Sequence, residues 1–300
     1  MLKGLCILSW SFALVVPSAS ILAQQVDEFT LQSQRQKIEE LKWESLLEAY
    51  PNSIEVLDRQ RKIFRVEGSS SIVYDEFEGD LDDGRSYDEI FNDADVQDTF
   101  YALYPLDCSD QWIPRNNFDP GRFRNEDLFK GLYGNNQRNI EDNIAPQLWV
   151  KNQSIRVTQK QRVSEKLKSI AAKFSAPASQ NLVKYLWPSE GAYVYRNISG
   201  TNKLSSHSFG TAIDINLKFT NYWKWEVDDP TKPIPFKNQV PCSVIEAFEK
   251  EGFVSGAKWY HYDTMHFEYR PELLLFAKKI RKEFGSDPQK LRQLPGIMAP

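Results

Sequence analysis

The chain has three histidines, all between His207 and His266, and two of them stand in patterns rich in other metal-binding side chains. The first is Ser205-Ser206-His207-Ser208-Phe209-Gly210-Thr211-Ala212-Ile213-Asp214, or S-x-H-x-x-G-x-A-x-D. The second is Asp263-Thr264-Met265-His266-Phe267-Glu268. Together they offer two imidazoles and one carboxylate as ligands, with a spare carboxylate three residues before the second histidine. A catalytic zinc asks for this inventory: three protein donors, an open position for water, and a nearby base. A fold that uses it must bring two distant stretches of chain to one point.

Alternation shows how each stretch would present its groups. Over Ala212–Leu217, Ala212, Asp214 and Asn216 share one strand face, and Ile213, Ile215 and Leu217 face the core. Gly210 permits a close approach or an unusual dihedral between the two candidate ligands. In the second stretch His266 and Glu268 share a face, so Glu268 is placed to orient a ligand histidine from outside. Pro271 then suits the first turn of a helix carrying Leu273, Leu274 and Phe276.

The N-terminus reads as an export signal. Lys3 is followed by a short apolar stretch, Leu5 to Val16, and by small residues from Pro17 to Ala23. A membrane anchor is the alternative, but the stretch is broken by Ser9 and Ser11, and a spanning helix wants roughly 20 apolar residues. Residues 1–23 are therefore expected to be a signal peptide, with a periplasmic or secreted destination. Membrane association is expected only if that segment is uncleaved. Export leaves Cys108 and Cys242 in the mature chain, either as one disulfide or as two buried thiols. Neither lies in a candidate metal motif.

The net charge of −4, with no concentrated basic patch, argues against nucleic-acid partners, and no nucleotide-binding pattern is found. Eight tryptophans and thirteen tyrosines supply core packing or aromatic walls for a substrate. Residues 24–100 read as an N-terminal helical accessory region. Leu31, Ile38, Leu41, Leu46 and Leu47 mark one helix, and Ser53 is a candidate cap for a second containing Ile54, Leu57 and Ile63. The acidic run Asp75 to Asp83 lacks the spacing of a calcium loop and reads as solvated. Residues 101–283 form the expected catalytic domain, with 284–300 as a tail. There Asp119-Pro120-Gly121-Arg122 reads as a turn, Thr158 to Phe174 as a helix, and Gly191 to Ile198 as a strand. Short strands and helices without a βαβ rhythm indicate an α+β fold.

The paired motifs resemble those of the D-alanyl-D-alanine carboxypeptidase family of zinc peptidases, which includes VanY-type carboxypeptidases and L-alanyl-D-glutamate endopeptidases. The strings Tyr195-Arg196-Asn197-Ile198-Ser199-Gly200-Thr201, Trp259 to Leu273, Asp119 to Arg124 and Leu132-Tyr133-Gly134 are similar to an exported bacterial branch. The resemblance runs from about Tyr101 to Ala277. It implies a small, mainly antiparallel sheet with flanking helices (the hedgehog/DD-peptidase fold), preceded here by N-terminal helices. It also implies one zinc ion held by His207, Asp214 and His266, with Asp263 as general base. Arg196 would polarise the scissile carbonyl or hold a substrate carboxylate, and peptidoglycan stem peptides would be the substrate. Aspartate at the base position resembles the endopeptidase branch more than the vancomycin-resistance carboxypeptidases, which place glutamate there.

Ser205, Trp259 and His261 are candidate substrate contacts, each with a packing or capping role as the alternative. Arg122 and Arg124 read as surface ion-pair residues and stand outside the expected site. A zinc-stabilised but catalytically inactive binding module is the alternative function, because the related hedgehog-type fold can keep such a site without turnover. The intact Asp263 favours the enzyme.

Overall fold

A computed structural model describes residues 19–76, 84–109, 111–227 and 232–300. Most of the expected signal segment and most of the acidic run lie outside the described residues. Among the described residues no helix is long and apolar enough to cross a membrane.

Helix α1 (Ala19–Ala49) is followed by strands β1 (Ile54–Asp58), β2 (Ile63–Val66) and β3 (Ser71–Val73), which form one antiparallel sheet. Ile38, Leu41 and Leu46 lie on the helical stripe that α1 buries, and Pro51 stops the helix just beyond its last turn. The expected second helix is not there. Its apolar residues Ile54 and Ile63 belong instead to a hairpin with Ile54 opposite Val66 and Val56 opposite Phe64. The connecting turn is fixed by Asp58, whose carboxylate accepts from the backbone N–H groups of Gln60 and Arg61. β-Branched residues at alternate positions suit the pleated surface, and Phe64 and Val66 bury the inward face.

A second hairpin, β4 (Ile144–Leu148) with β5 (Ser154–Thr158), leads into α2 (Val163–Ser175). The helix read from Thr158 thus begins later, because Gln161 and Arg162 have positive φ and Thr158 is the last residue of β5. Its buried face is Val163, Leu167, Ile170, Ala171 and Phe174. The expected strand from Gly191 to Ile198 is extended but irregular. It makes only single bridges, Gly191 to Asp214 and Asn197 to Leu204.

The site is built on a third antiparallel sheet of three short strands: β6 (Ala212–Asp214), β7 (Phe253–Ser255) and β8 (His266–Tyr269), in the order β6-β8-β7. Helix α3 (Cys242–Lys250) precedes β7, and α4 (Pro271–Phe284) follows β8 with Pro271 in its first turn. The architecture is α+β, with small antiparallel sheets and helices around them. Ile213 and Ile215 anchor β6 in the core, whereas Leu217, expected beside them, begins a 3-10 turn and is partly exposed.

One continuous core holds these parts together. Ile38 and Leu46 of α1, Phe248 of α3, Phe267 of β8 and Phe276 of α4 all belong to it. So do Leu291, Leu294 and Ile297 near the C-terminus. Lys42, almost fully buried in α1, donates to Glu39 and to the carbonyl of Gly296. The backbone of Met298 bonds to Tyr101 and Leu103.

Cys108 and Cys242 form a disulfide across a sequence separation of 134 residues. It ties the segment after Pro105 to the first turn of α3. In the chain-entropy account a closed loop of that size is worth about 5 kcal/mol of stability. We predict that Cys242→Ser costs about 2–5 kcal/mol, read as a lower urea midpoint, with a steeper slope because the unfolded chain is no longer cross-linked. An unchanged midpoint would mean that the two sulfurs do not pair in solution.

Candidate metal centre

In the register of β6 with β8, Asp214 is the direct partner of His266. The two side chains therefore project side by side from a rigid sheet. His207 arrives from the 3-10 turn Ser206–Phe209, just before β6. Ser205 caps that turn, accepting from the His207 backbone N–H at 3.3 Å. Gly210 ends it with φ +68°, where a Cβ would lie 2.8 Å from the backbone nitrogen of Thr158. Only glycine fits both that dihedral and that approach.

Three donor atoms converge. His207 Nε2 is 3.2 Å from Asp214 Oδ1, His266 Nδ1 is 3.1 Å from the same oxygen, and the two nitrogens are 3.2 Å apart. Among the described residues this is the group of histidine, cysteine and acidic side chains close enough to share a metal. The outer nitrogens explain why the inner ones point together. His207 Nδ1 lies 2.6 Å from the Ala192 carbonyl, which requires its proton there and leaves a lone pair on Nε2. His266 Nε2 lies 3.3 Å from Glu268 Oε2 and 3.3 Å from Ser206 Oγ, which leaves a lone pair on Nδ1.

Two lone pairs and a carboxylate facing one another demand a positive charge between them. Burial would raise the Asp214 carboxyl, but the two histidines outweigh it and hold it far below the usual range. Burial likewise opposes a charge on His266. The bonds to Asp214 and Glu268 overcome it and lift the imidazole to about 10. Two imidazoles and a carboxylate, with each imidazole fixed by an outer acceptor, are the donor set of a catalytic zinc. The residues fit that metal.

Asp263 stands three positions before His266, the first residue of β8. Its carbonyl accepts from the His266 N–H at 3.0 Å, and its own N–H donates to Gly256 at 3.1 Å. A side chain at Gly256 would run into the Asp263 carbonyl, so glycine is required there too. Its Oδ1 is buried and has no hydrogen-bond partner. Burial, partly opposed by His266, pushes its carboxyl up to about 6. A carboxylate of that basicity with a vacant acceptor is suited to receive a proton from water.

The remaining expected residues divide. Glu268 lies behind His266, and burial, which would raise its carboxyl, is overcome by Arg124 and His266, so it stays ionised. Trp259 is buried with its ring 5.7 Å from that of His266, and its indole N–H donates to the Pro120 carbonyl. Its place is a wall fixed by packing. Arg196 is held by its backbone: its N–H donates to Ser208 Oγ, and its carbonyl accepts from Ser208 Oγ and from the Ser205 N–H. Its side chain is exposed, and its charge reaches Tyr222, which is bridged to Asp263.

Arg122 and Arg124 are not surface residues. Arg124 pairs with Glu268 at 3.3 Å and donates to the Leu204 carbonyl at 2.7 Å. Arg122 lies over the Trp259 ring, 5.8 Å from its centre, and its charge reaches Asp263. The signal was present in the Asp119-Pro120-Gly121-Arg122-Phe123-Arg124 string. The turn there folds back onto the site: Phe118 O accepts from the Tyr260 N–H, Pro120 O from Trp259, and Gly121 O from Arg270.

Residues 199–269 match the family model described as D-alanyl-D-alanine carboxypeptidase. The matched stretch carries His207, Asp214, Asp263, His266 and Glu268, and it supports the family that the motifs resemble and, with it, a peptidase. No curated protein and no solved structure matches the chain significantly.

Glu268→Gln removes the charge behind His266 while keeping its shape. We expect zinc affinity, measured by competition with a chromophoric chelator, to fall about 10–100-fold. Unchanged affinity would show that His266 needs no outer carboxylate.

Proposed function

We propose that this chain is an exported zinc peptidase that hydrolyses an amide bond in peptidoglycan stem peptides. The observation that carries the reading is the convergence of His207 Nε2, Asp214 Oδ1 and His266 Nδ1 beside a carboxylate, Asp263, whose buried oxygen has no partner. An inert structural site has no use for that last group. Export is supported by the N-terminal sequence, and a disulfide is at home in the periplasm or outside the cell.

His207, Asp214 and His266 would hold one zinc ion. The chemistry that zinc supplies when bound is Lewis acidity toward a carbonyl oxygen and a water acidified toward neutral pH. Asp263 takes the proton of the attacking water and returns it to the leaving amine. Its buried oxygen, free of any other partner, is the acceptor in the first transfer and the donor in the second. Arg196, on the open side, meets the scissile carbonyl or a substrate carboxylate. Glu268, neutralised by Arg124 and Arg270, holds His266 in the orientation the metal requires.

The test is digestion of purified muropeptides by the zinc-loaded protein, with products identified by mass spectrometry and His207→Ala as control. Loss of a terminal D-alanine would make it a carboxypeptidase, and separation of L-alanine from D-glutamate an endopeptidase. Bound zinc with no cleavage would leave a binding module. Asp263→Asn should retain one zinc per chain, read by elemental analysis, yet lose turnover by at least about 100-fold. Near-normal turnover in that variant would remove Asp263 as the base.

A further inference from the structure

The third histidine, His261, has as specific an arrangement as the two in the metal centre. Its Nδ1 lies 2.6 Å from Asp119 Oδ2, and its backbone N–H donates to Asp119 Oδ1 at 2.8 Å. The Tyr87 hydroxyl donates to Oδ2 at 2.6 Å, and Arg122 Nη1 lies 3.8 Å from the same oxygen. The Asp119 side chain is 1% exposed. Burial would raise its carboxyl, but the His261 bond and the Arg122 charge overcome it, so the group is an ionised, acceptor-only partner. Facing such a carboxylate, His261 must carry its proton on Nδ1, and in the neutral ring Nε2 is then an acceptor.

The direction of that acceptor follows from the chain. Tyr262 is fully buried, whereas His261 and Asp263 on either side of it are partly open. Arg122, beside Asp119, also feels the Asp263 charge, and Trp223, packed on the His261 ring, follows Tyr222, which is bridged to Asp263, so His261 stands on the Asp263 side of the site. Trp223, Tyr260 and Tyr87 surround its ring at centroid distances of 4.9, 5.0 and 5.5 Å and hold it there. A histidine that only filled this space would need no buried anion to choose its tautomer, and burying an anion is expensive.

We propose that His261 is a substrate-binding residue whose Nε2 accepts a hydrogen bond from a peptide N–H flanking the scissile bond, and that Asp119 is the positioning residue that fixes its tautomer and aims it. The inference rests on the peptidase reading. It gives the Asp119 turn a purpose: the same carboxylate that aligns His261 is the one beside which Arg122 is held.

With three histidines in the chain, [15N]histidine labelling gives a spectrum in which each ring can be assigned. In the zinc-loaded Asp263→Asn protein, His261 should appear as the Nδ1–H tautomer. Adding a synthetic stem pentapeptide should shift its Nε2 resonance. Asp119→Asn offers an amide N–H to Nδ1 and should convert the ring to the Nε2–H tautomer. With Asp263 intact, that variant should lose about 100-fold in kcat/KM at full zinc occupancy. His261→Gln, whose amide reaches the Nε2 position, should keep more activity than His261→Ala.

Peptide that binds without moving the His261 signal, or an Asp119→Asn enzyme as active as the parent, overturns the inference and leaves the peptidase reading intact. A zinc-loaded wild-type chain that neither binds nor cleaves the peptide overturns both.

Discussion

Arg270 is wholly buried, and its Nε and Nη1 draw together groups from distant parts of the chain, while its Nη2 is left without a partner. Its Nε donates to Glu272 at 2.5 Å, and its Nη1 to Glu268 at 3.2 Å and to the Gly121 carbonyl at 2.6 Å. Arg124 adds a second cation against Glu268, so two guanidinium groups meet two carboxylates away from water. Removing one partner from such a set strands a buried charge, at a cost of about 3–5 kcal/mol. The charges are retained where an apolar core would cost less to build, and the reason lies one residue pair away. Glu268 is also the group that orients His266.

The same network connects distant parts of the chain. Glu272 accepts from the Tyr50 hydroxyl at the end of α1, and Gly121 belongs to the turn that carries Asp119 and Arg122. A line of hydrogen bonds thus runs from Tyr50 through Glu272, Arg270 and Glu268 to His266. α1 also packs along α4, which begins at Pro271, directly after Arg270. The N-terminal helix is therefore joined to the strand that carries a metal donor by packing and by buried polar contacts together.

Much of the metal centre could be read from the sequence because its information is local. His207 and Asp214 stand seven residues apart across one turn and one strand, and Asp263 and His266 share one turn. The alternation in β8 alone puts Glu268 on the same face as His266. Ile54, Leu57 and Ile63 also fit a helical stripe, and only the pairing with Val66 and Phe64 decides for the pleat of β1–β2. The burial of Arg122 and Arg124 is hidden from the sequence for a similar reason. A charged residue on a turn is ordinarily solvated, and what buries these two is the β8 end and the Trp259 loop, more than a hundred residues away.

The two halves of the site differ in how they are held. His207, Asp214 and His266 are fixed by a sheet register and by outer hydrogen bonds, so their geometry precedes any ligand. Asp263, His261 and Arg122 stand on turns: the Asp263 N–H donates to the Gly256 carbonyl, the His261 N–H to Asp119 Oδ1, and the Arg122 N–H to the Asp119 carbonyl, with aromatic rings packed among them. The disulfide at Cys108 and Cys242 closes a loop that encloses the Asp119 turn, β6 and their connections.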